Sequence, residues 1–425
     1  MKFNRNSNMQ KSIRNDIYIS WFILVTFYLY QYVLRISPGV LIEEIRHEFS
    51  MNADQFSLIG AMCGYGYSLM QIPVGILIDR IGIKNTALFS VFLCILGAVM
   101  LIVSNIPLVA YIGRFIGGAG AASAFMSSIK LAHDYFPKSK QGVAIGATLT
   151  FGAIGALITG KPLNYLLDQF DTWQTAFVIF AIIGVLILIL AACYLPKNTK
   201  SANIHEFEAN NIWKDLLKIT TNKNILIYAI IAIGLYAPLS VMADLWGVAF
   251  MVKKFDMSRE VASPILMNIY IGMAIGSVIL PYLAQKYNIL DKIIVTSALI
   301  LLVLFSLVIY ATNLTNSDIV ILLILIGFFC GAEMLCFTAA LRYTTPHTSG
   351  LTIGVVNTFN MLSGAILQQA IGLYLDHSWK GAINSKGLRI YSTEEFVEAF
   401  SILVAIIGIC LVIALFTISK KHKEI

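Results

Sequence analysis

Charge is scarce in this chain. Asp, Glu, Lys and Arg make up 12% of its 425 residues, whereas 58% are hydrophobic and mean hydropathy reaches +0.79. A soluble globular domain carries about twice that share of charge, so the lipid bilayer is the expected solvent. Cysteine is sparse as well. Cys63, Cys94, Cys193, Cys330, Cys336 and Cys410 all fall inside apolar runs, which argues against a disulfide framework or a Cys-x-x-Cys metal site and leaves small packing residues. Also missing are a Walker-type phosphate loop, a His-Glu-x-x-His zinc motif and a Gly-x-Ser-x-Gly elbow. ATP-driven pumping and hydrolytic catalysis therefore lack support, and neither an enzyme nor a cofactor is expected.

What is abundant is apolar sequence cut to membrane length. A spanning helix needs about 20 such residues, and twelve segments qualify, at 17–40, 55–77, 86–104, 108–132, 142–166, 173–195, 225–247, 262–284, 292–312, 318–342, 350–376 and 396–418. The polar leader with Lys2, Arg5, Lys11 and Arg14 precedes a run too long for a signal peptide and without a small-x-small cleavage site, so the first span is retained. Of the 30 Lys and Arg residues, nineteen fall on the side of the two termini, seven on the opposite side and four within spans. The positive-inside rule then puts both termini in the cytoplasm. The net charge of +7 reflects that topology and contact with anionic lipid rather than with nucleic acid.

The longest polar interruption divides the chain into residues 1–195 and 225–425, joined by a cytoplasmic linker at 196–224 with an amphipathic stretch from Ile212 to Lys218. Two halves of six helices fit parallel repeats about an axis normal to the membrane, with the substrate site at their interface. A shorter polar segment, 377–395, separates the last two spans on the outer side.

Between the second and third spans the chain reads Gly75-Ile76-Leu77-Ile78-Asp79-Arg80-Ile81-Gly82-Ile83-Lys84. Gly75 permits close backbone approach near a helix end, and Asp79, four residues on, is placed to accept bonds from a neighbouring helix N-terminus. Arg80 and Lys84 are expected among lipid headgroups. The pattern resembles the loop signature of the major facilitator superfamily, with Ile83 where a basic residue is usual. A fainter echo runs from Gly276 to Lys286 in the second half and reads as decayed repetition. The fourth span adds Arg114-Phe115-Ile116-Gly117-Gly118-Ala119-Gly120-Ala121-Ala122, which is similar to that family's Arg-x-x-Gln-Gly-x-Gly-Ala-Ala motif with Gly117 replacing Gln.

This resemblance implies an all-α membrane protein of twelve transmembrane helices in two six-helix bundles. It implies a state-dependent latch at Gly75, Asp79, Arg80, Gly82 and Lys84, and a part for Arg114 in conformational or proton coupling. The alternative for Arg114 is snorkelling to the outer surface. The fifth span lacks the Gly-Pro pattern of drug-efflux antiporters, having no Pro until Pro162, which counts against efflux.

In the family's arrangement the first, fourth, seventh and tenth helices line the central path. On the first, Tyr28, Gln31 or Tyr32, and Arg35 recur at helical spacing as one polar stripe. A guanidinium there suits a bidentate carboxylate clamp oriented by tyrosine hydroxyls, or else a structural pair with a carboxylate of another helix. Lys130 lies about 160° around a straight helix from Arg114, so it either lines the inner half of the path or snorkels. Lys161 reads as interfacial. Glu333, deep in the tenth span, suits a group that takes up and releases a proton, because apolar surroundings favour the neutral carboxyl. Asp244 is the second candidate, as a gate or a helix-end charge. Asn357 and Asn360, with Gln368 and Gln369, offer neutral hydrogen bonds to substrate or between helices.

The expectation is a monomeric, proton-coupled importer in a bacterial inner membrane, driven by the proton gradient alone. Its cargo would be a small carboxylate-bearing solute: an amino acid, short peptide or organic acid. The run from Tyr28 to Pro38 resembles nutrient importers that include the phagosomal transporters of intracellular bacteria. An importer of a citrate-type siderophore is the alternative, with an efflux antiporter or a non-transporting receptor below it.

Overall fold

The computed structural model describes residues 2–170, 172–196, 209–345 and 348–421, with side chains omitted for 2–15, 139, 209–212 and 418–421. Residues 197–208 of the expected linker, with Lys197 and Lys200, lie outside the described residues, as does Lys423. The helices are α1 (Lys2–Val40), α2 (Ile42–Glu48), α3 (Ala53–Ile102), α4 (Pro107–Ala121), α5 (Ser123–Tyr135), α6 (Lys138–Ile158), α7 (Lys161–Gln169), α8 (Trp173–Tyr194), α9 (Ala209–Thr220), α10 (Lys223–Ala237), α11 (Gly247–Phe255), α12 (Arg259–Tyr287), α13 (Leu290–Tyr310), α14 (Asn316–Cys330), α15 (Glu333–Ala340), α16 (Ser349–Ser378) and α17 (Thr393–Lys421). Among the described residues the β structure is one isolated bridge, between Ile383 and Arg389.

Among the described residues eleven helical stretches are long and apolar enough to cross a bilayer, and one of them, α3, has fifty residues. It makes two crossings, because the helix reverses at Gly82 (φ 81°, ψ 162°), a conformation that only a residue without Cβ adopts cheaply. The first half of α3 runs parallel to α4, with Gln55 O accepting from Tyr111 and Ile59 O from Arg114. The second half runs antiparallel to α4, with Gly97 against Gly113 and Ser90 against Gly120. The twelve expected crossings are thus present.

The fourth span breaks at Ala122 and the tenth at Gly331-Ala332. The seventh passes through a π-helical stretch, Pro238–Trp246, between α10 and α11. The first two breaks lie 210 residues apart, and so do Gly66 and Gly276. Gly66 lets α3 touch the backbone of α4 at Phe115 O, and Gly276 lets α12 touch α14 at Phe328 O; a Cβ at either position would overlap that oxygen. This shared register fits two parallel repeats. It also corrects the echo looked for from Gly276 to Lys286. Gly276 serves the helix crossing, and the reversal equivalent to Gly82 is Asn288, at φ 53°, a left-handed position that Asn tolerates.

One end of the molecule carries the Gly82 turn, Lys138, Lys140 and the start of α10, and is here termed the basic end. The bundles separate towards it. A Cβ on Gly75, Gly142 or Gly350 would meet nothing within 4 Å, and one on Gly354 would only graze Ile72 at 3.9 Å. Towards the far end they close, with Gly64 against Ala365, Gly372 against Ser57 and Gly160 against Pro264. Polar bonds complete that closure. Arg46 donates to Arg389 O at 3.0 Å, Ala53 N–H to the Tyr391 hydroxyl at 3.0 Å and Asp54 N–H to Asp376 at 2.8 Å, and Arg259 pairs with Glu44.

Overpacking these crossings costs roughly 1–3 kcal/mol per site. Gly66→Val and Gly276→Val should each lower the thermal midpoint of the detergent-solubilised protein by several degrees, whereas Gly142→Ala at the open face should leave it unchanged or higher. Differential scanning fluorimetry reads the difference; equal midpoints for all three would refute the crossing role.

Candidate substrate site between the bundles

Pro38 lies inside α1 and has no N–H to offer Leu34 O, the carbonyl four residues earlier. The Arg114 guanidinium fills the gap. Its Nη1 donates to Leu34 O at 2.7 Å, Nη2 to Arg35 O at 3.1 Å and Nε to Ile59 O at 2.8 Å. At 6% exposure Arg114 is buried, so it does not snorkel. It joins α4 to α1 and α3, and fixes the backbone from which Arg35 projects.

Arg35 reaches from the N-terminal bundle to the C-terminal one. Its Nη2 stands 3.4 Å from Asp244 Oδ1, the guanidinium lies 4.3 Å from the centre of the Tyr32 ring, and Nε–H has no hydrogen-bond partner. The expected alternative, a pair with a carboxylate of another helix, is therefore realised in this conformation. Asp244 sits on the π-helical stretch and also accepts from the Tyr270 hydroxyl of α12. Gly39, next to Pro38, packs directly on the backbone of Asp244 and Leu245, so the ion pair sits beside the far-end closure.

The first-helix stripe consists of Tyr28, Tyr32 and Arg35. The Tyr28 hydroxyl points to that of Tyr32 at 3.4 Å, and the Tyr32 ring meets Tyr270 edge-on. Gln31, about 100° around the helix from Tyr32 but only about 40° from Arg35, is 1% exposed and lines a cavity inside the N-terminal bundle with Arg35, Arg114, Cys63 and Phe177. Between the bundles a cavity of about 30 Å³, room for a water or two, is bounded by Arg35, Tyr67, Tyr236, Ser240, Asp244 and Gln368.

Glu333 opens α15 just after the break in the tenth span and is 2% exposed. Its Oε1 accepts from Asn360 Nδ2, while Oε2 and Asn360 Oδ1 have no hydrogen-bond partner. Asn357 donates to Gln71 at 2.8 Å across the bundle interface. Gln368 donates to Ser240 O, and Gln369 accepts from Tyr65. These amides bond between helices here.

Lys130 is not brought to this site. It stands at the basic end, 3.7 Å from both Asp79 and Asp134. The Asp79 side chain is 61% exposed and Gly75 faces open space, so the helix contact expected of the 75–84 loop is absent while the bundles stand apart. Arg80 is exposed. Lys84 donates to Ala192 O and Leu195 O at the end of α8, where a cation complements the carbonyls of a helix C-terminus. Lys161 is exposed at the start of α7.

Tyr67, Gln71, Tyr236 and Tyr270 belong to the site but were missed in the sequence. Tyr67 and Gln71 carry the same signal as the first helix, polar groups at i and i+4 on an apolar span. Tyr236 carries it too, with Ser240 and Asp244 following at i+4 and i+8, whereas Tyr270 has no polar neighbour at i±3 or i±4 in its span.

Comparison with known proteins agrees with this geometry. Over 406 residues the chain is 23% identical to the probable galactarate/D-glucarate transporter GudP of Bacillus subtilis (strain 168), covering 86% of this chain and 88% of that one. It is 28% identical to the uncharacterized transporter YybO of the same organism, but spans only 48% of that protein's length. Among solved structures, a bacterial homologue of the human lysosomal transporter Spinster, inward-facing and unoccupied, superimposes with a TM-score of 0.70 over 94% of this chain and 96% of that one at 15% identity. The nucleoside transporter NupG gives 0.74 over 93% and 99% at 13% identity. The family model described as Major Facilitator Superfamily matches residues 20–367, so the chain belongs to that superfamily, a multi-pass membrane transporter of small molecules and not an enzyme.

Proposed function

We propose that the protein is a proton-coupled importer of a small carboxylate-bearing solute, and within the organic acids a hydroxylated sugar acid. In this reading residues 1–195 and 225–425 rock about the linker at 196–224, and the basic end is cytoplasmic. The monomer sits in a bacterial inner membrane and uses the proton gradient without a cofactor. The conformation described above is then open to the cytoplasm. One observation carries the cargo class: the buried Arg35 guanidinium makes a single 3.4 Å contact with Asp244 and keeps Nε–H free, so it retains the geometry for a bidentate carboxylate. Tyr28, Tyr32 and Tyr67 supply hydroxyls beside it. The names of two relatives, the galactarate/D-glucarate transporter and a hexuronate transporter of the same Bacillus that is 24% identical over 60% of this chain, support hydroxylated acids over amino acids, peptides or siderophores.

In the mechanism that follows, an entering carboxylate competes with Asp244 for Arg35. Losing the inter-bundle pair loosens the far-end closure. Glu333 carries the proton in this scheme, since its unpartnered oxygen is held among apolar neighbours where an isolated charge is costly.

Proteoliposomes with an inward proton gradient should accumulate labelled glucuronate or glucarate, and excess unlabelled acid should abolish accumulation. Uptake confined to amino acids, peptides or ferric citrate-type siderophores would overturn the sugar-acid class. No uptake of any of these, together with no ligand-induced thermal shift, would sink the importer reading. Glu333→Gln should end gradient-driven accumulation while sparing counterflow exchange; loss of both would assign Glu333 to binding or structure. Asp244→Asn weakens the pair and should favour the far-end-open state by roughly 1–3 kcal/mol. Alkylation of a Ser57→Cys probe, buried against Gly372 in the present conformation, should then speed up on the order of ten-fold or more, and an unchanged rate would remove Asp244 from the gate.

A further inference from the structure

The helix α9 has three distinct faces. Ile219 is buried and Leu216 packs on the protein core, in contact with α16 and α10. Trp213 and Leu217 are 70% and 64% exposed. Lys214 and Lys218 are exposed as well, and Lys218 has only a loose 3.9 Å contact with Asp215. At helical spacing Trp213 and Leu217 form one stripe, and the two lysines form another about 100° further round. An exposed Trp and Leu flanked by cations, on a helix whose third face is already seated, makes an apolar stripe with no partner among the described residues.

The depth of that stripe is set by the chain. Only Thr221 and Asn222 separate α9 from α10, and two residues span at most about 7 Å. Asn222 caps α10 by accepting from Asn224 N and Ile225 N at 3.0 and 3.3 Å, and Ile225 is already buried. The helix therefore lies at the level where a spanning segment enters the membrane. At that depth water covers an indole poorly, and a phosphate layer matches the lysine charges.

We propose that α9 is an interfacial anchor for anionic phospholipid. Trp213 and Leu217 insert at the boundary of headgroups and acyl chains, and Lys214 and Lys218, with the exposed Lys223 at the start of α10, bind lipid phosphates. The anchor holds the entry of the seventh span at a fixed depth. It depends on the membrane-spanning fold but not on the cargo.

The test places a nitroxide at position 217 (Leu217→Cys) or 214 (Lys214→Cys) of the full chain. A Cys193→Ser background removes the exposed native thiol, the other five cysteines being buried. Collision with oxygen and with a water-soluble nickel chelate is measured in nanodiscs of phosphatidylcholine with or without phosphatidylglycerol. With phosphatidylglycerol, the label at 217 should collide several-fold more with oxygen than with the chelate, and the label at 214 should show the reverse. Lys214→Gln with Lys218→Gln should move the 217 label towards the chelate. A 217 label as open to the chelate as the 214 label in both lipids would place the stripe in water or against the central path and overturn the proposal. An unchanged depth in the two lipids, insensitive to the Gln pair, would overturn the anionic-lipid recognition.

Discussion

A carbonyl left without a donor organises the N-terminal bundle. Pro38 deprives Leu34 O of its helical partner, and a buried, unpaired carbonyl in hydrocarbon costs several kcal/mol. Arg114 makes good the loss with one nitrogen and spends its remaining donors on Arg35 O and Ile59 O. A charged residue that would be expensive inside a membrane thus becomes a tie between three helices. The backbone from which Arg35 projects is held by that repair, and Gly39, next to Pro38, carries the contact with the seventh span.

The interface between the bundles is asymmetric along its length. Towards the far end it combines backbone-close glycine contacts with ion pairs and hydrogen bonds. Towards the basic end it thins to open space, and the 75–84 loop falls back on local partners: Asp79 on Lys130 and Lys84 on the last carbonyls of α8. A loop satisfied in this way is not strained by the opening.

The span count and the turn at Gly82 between the second and third spans were legible in the sequence, because hydropathy and membrane thickness fix helix length so tightly. So was the first-helix stripe of Tyr28, Tyr32 and Arg35, since a period of 3.6 puts those residues on one face. The choice between Gln31 and Tyr32 stayed open in the sequence, because i+3 and i+4 are both helical neighbours, and the structure stacks Tyr32 on Arg35 while Gln31 lines a cavity of the N-terminal bundle that Arg35 also borders. For Lys130 the sequence left two placements open: Asp134 is a partner at i+4, but Asp79, the other carboxylate that holds it at the basic end, is 51 residues away, and long-range ion pairs leave no periodic trace. That Arg35 could pair with a carboxylate of another helix was readable, but which carboxylate, Asp244 at 209 residues on, was not, nor was the place of Tyr270. The role of Arg114 was half readable. Its cost announced a partner, but only the three-dimensional position of Pro38 shows that the partner is backbone.

Arg35 and Asp244 occupy almost the same place in the two repeats, within one residue of the 210-residue register kept by the glycine crossings and the helix breaks. The scaffold is close to two-fold symmetric, yet the residues meeting near its axis carry opposite signs. The centre of the molecule therefore has a polarity that the fold around it lacks. A dipolar guest cannot be received equally well in two orientations related by that axis, so one arrangement of its charged and neutral ends is selected before any other side chain touches it.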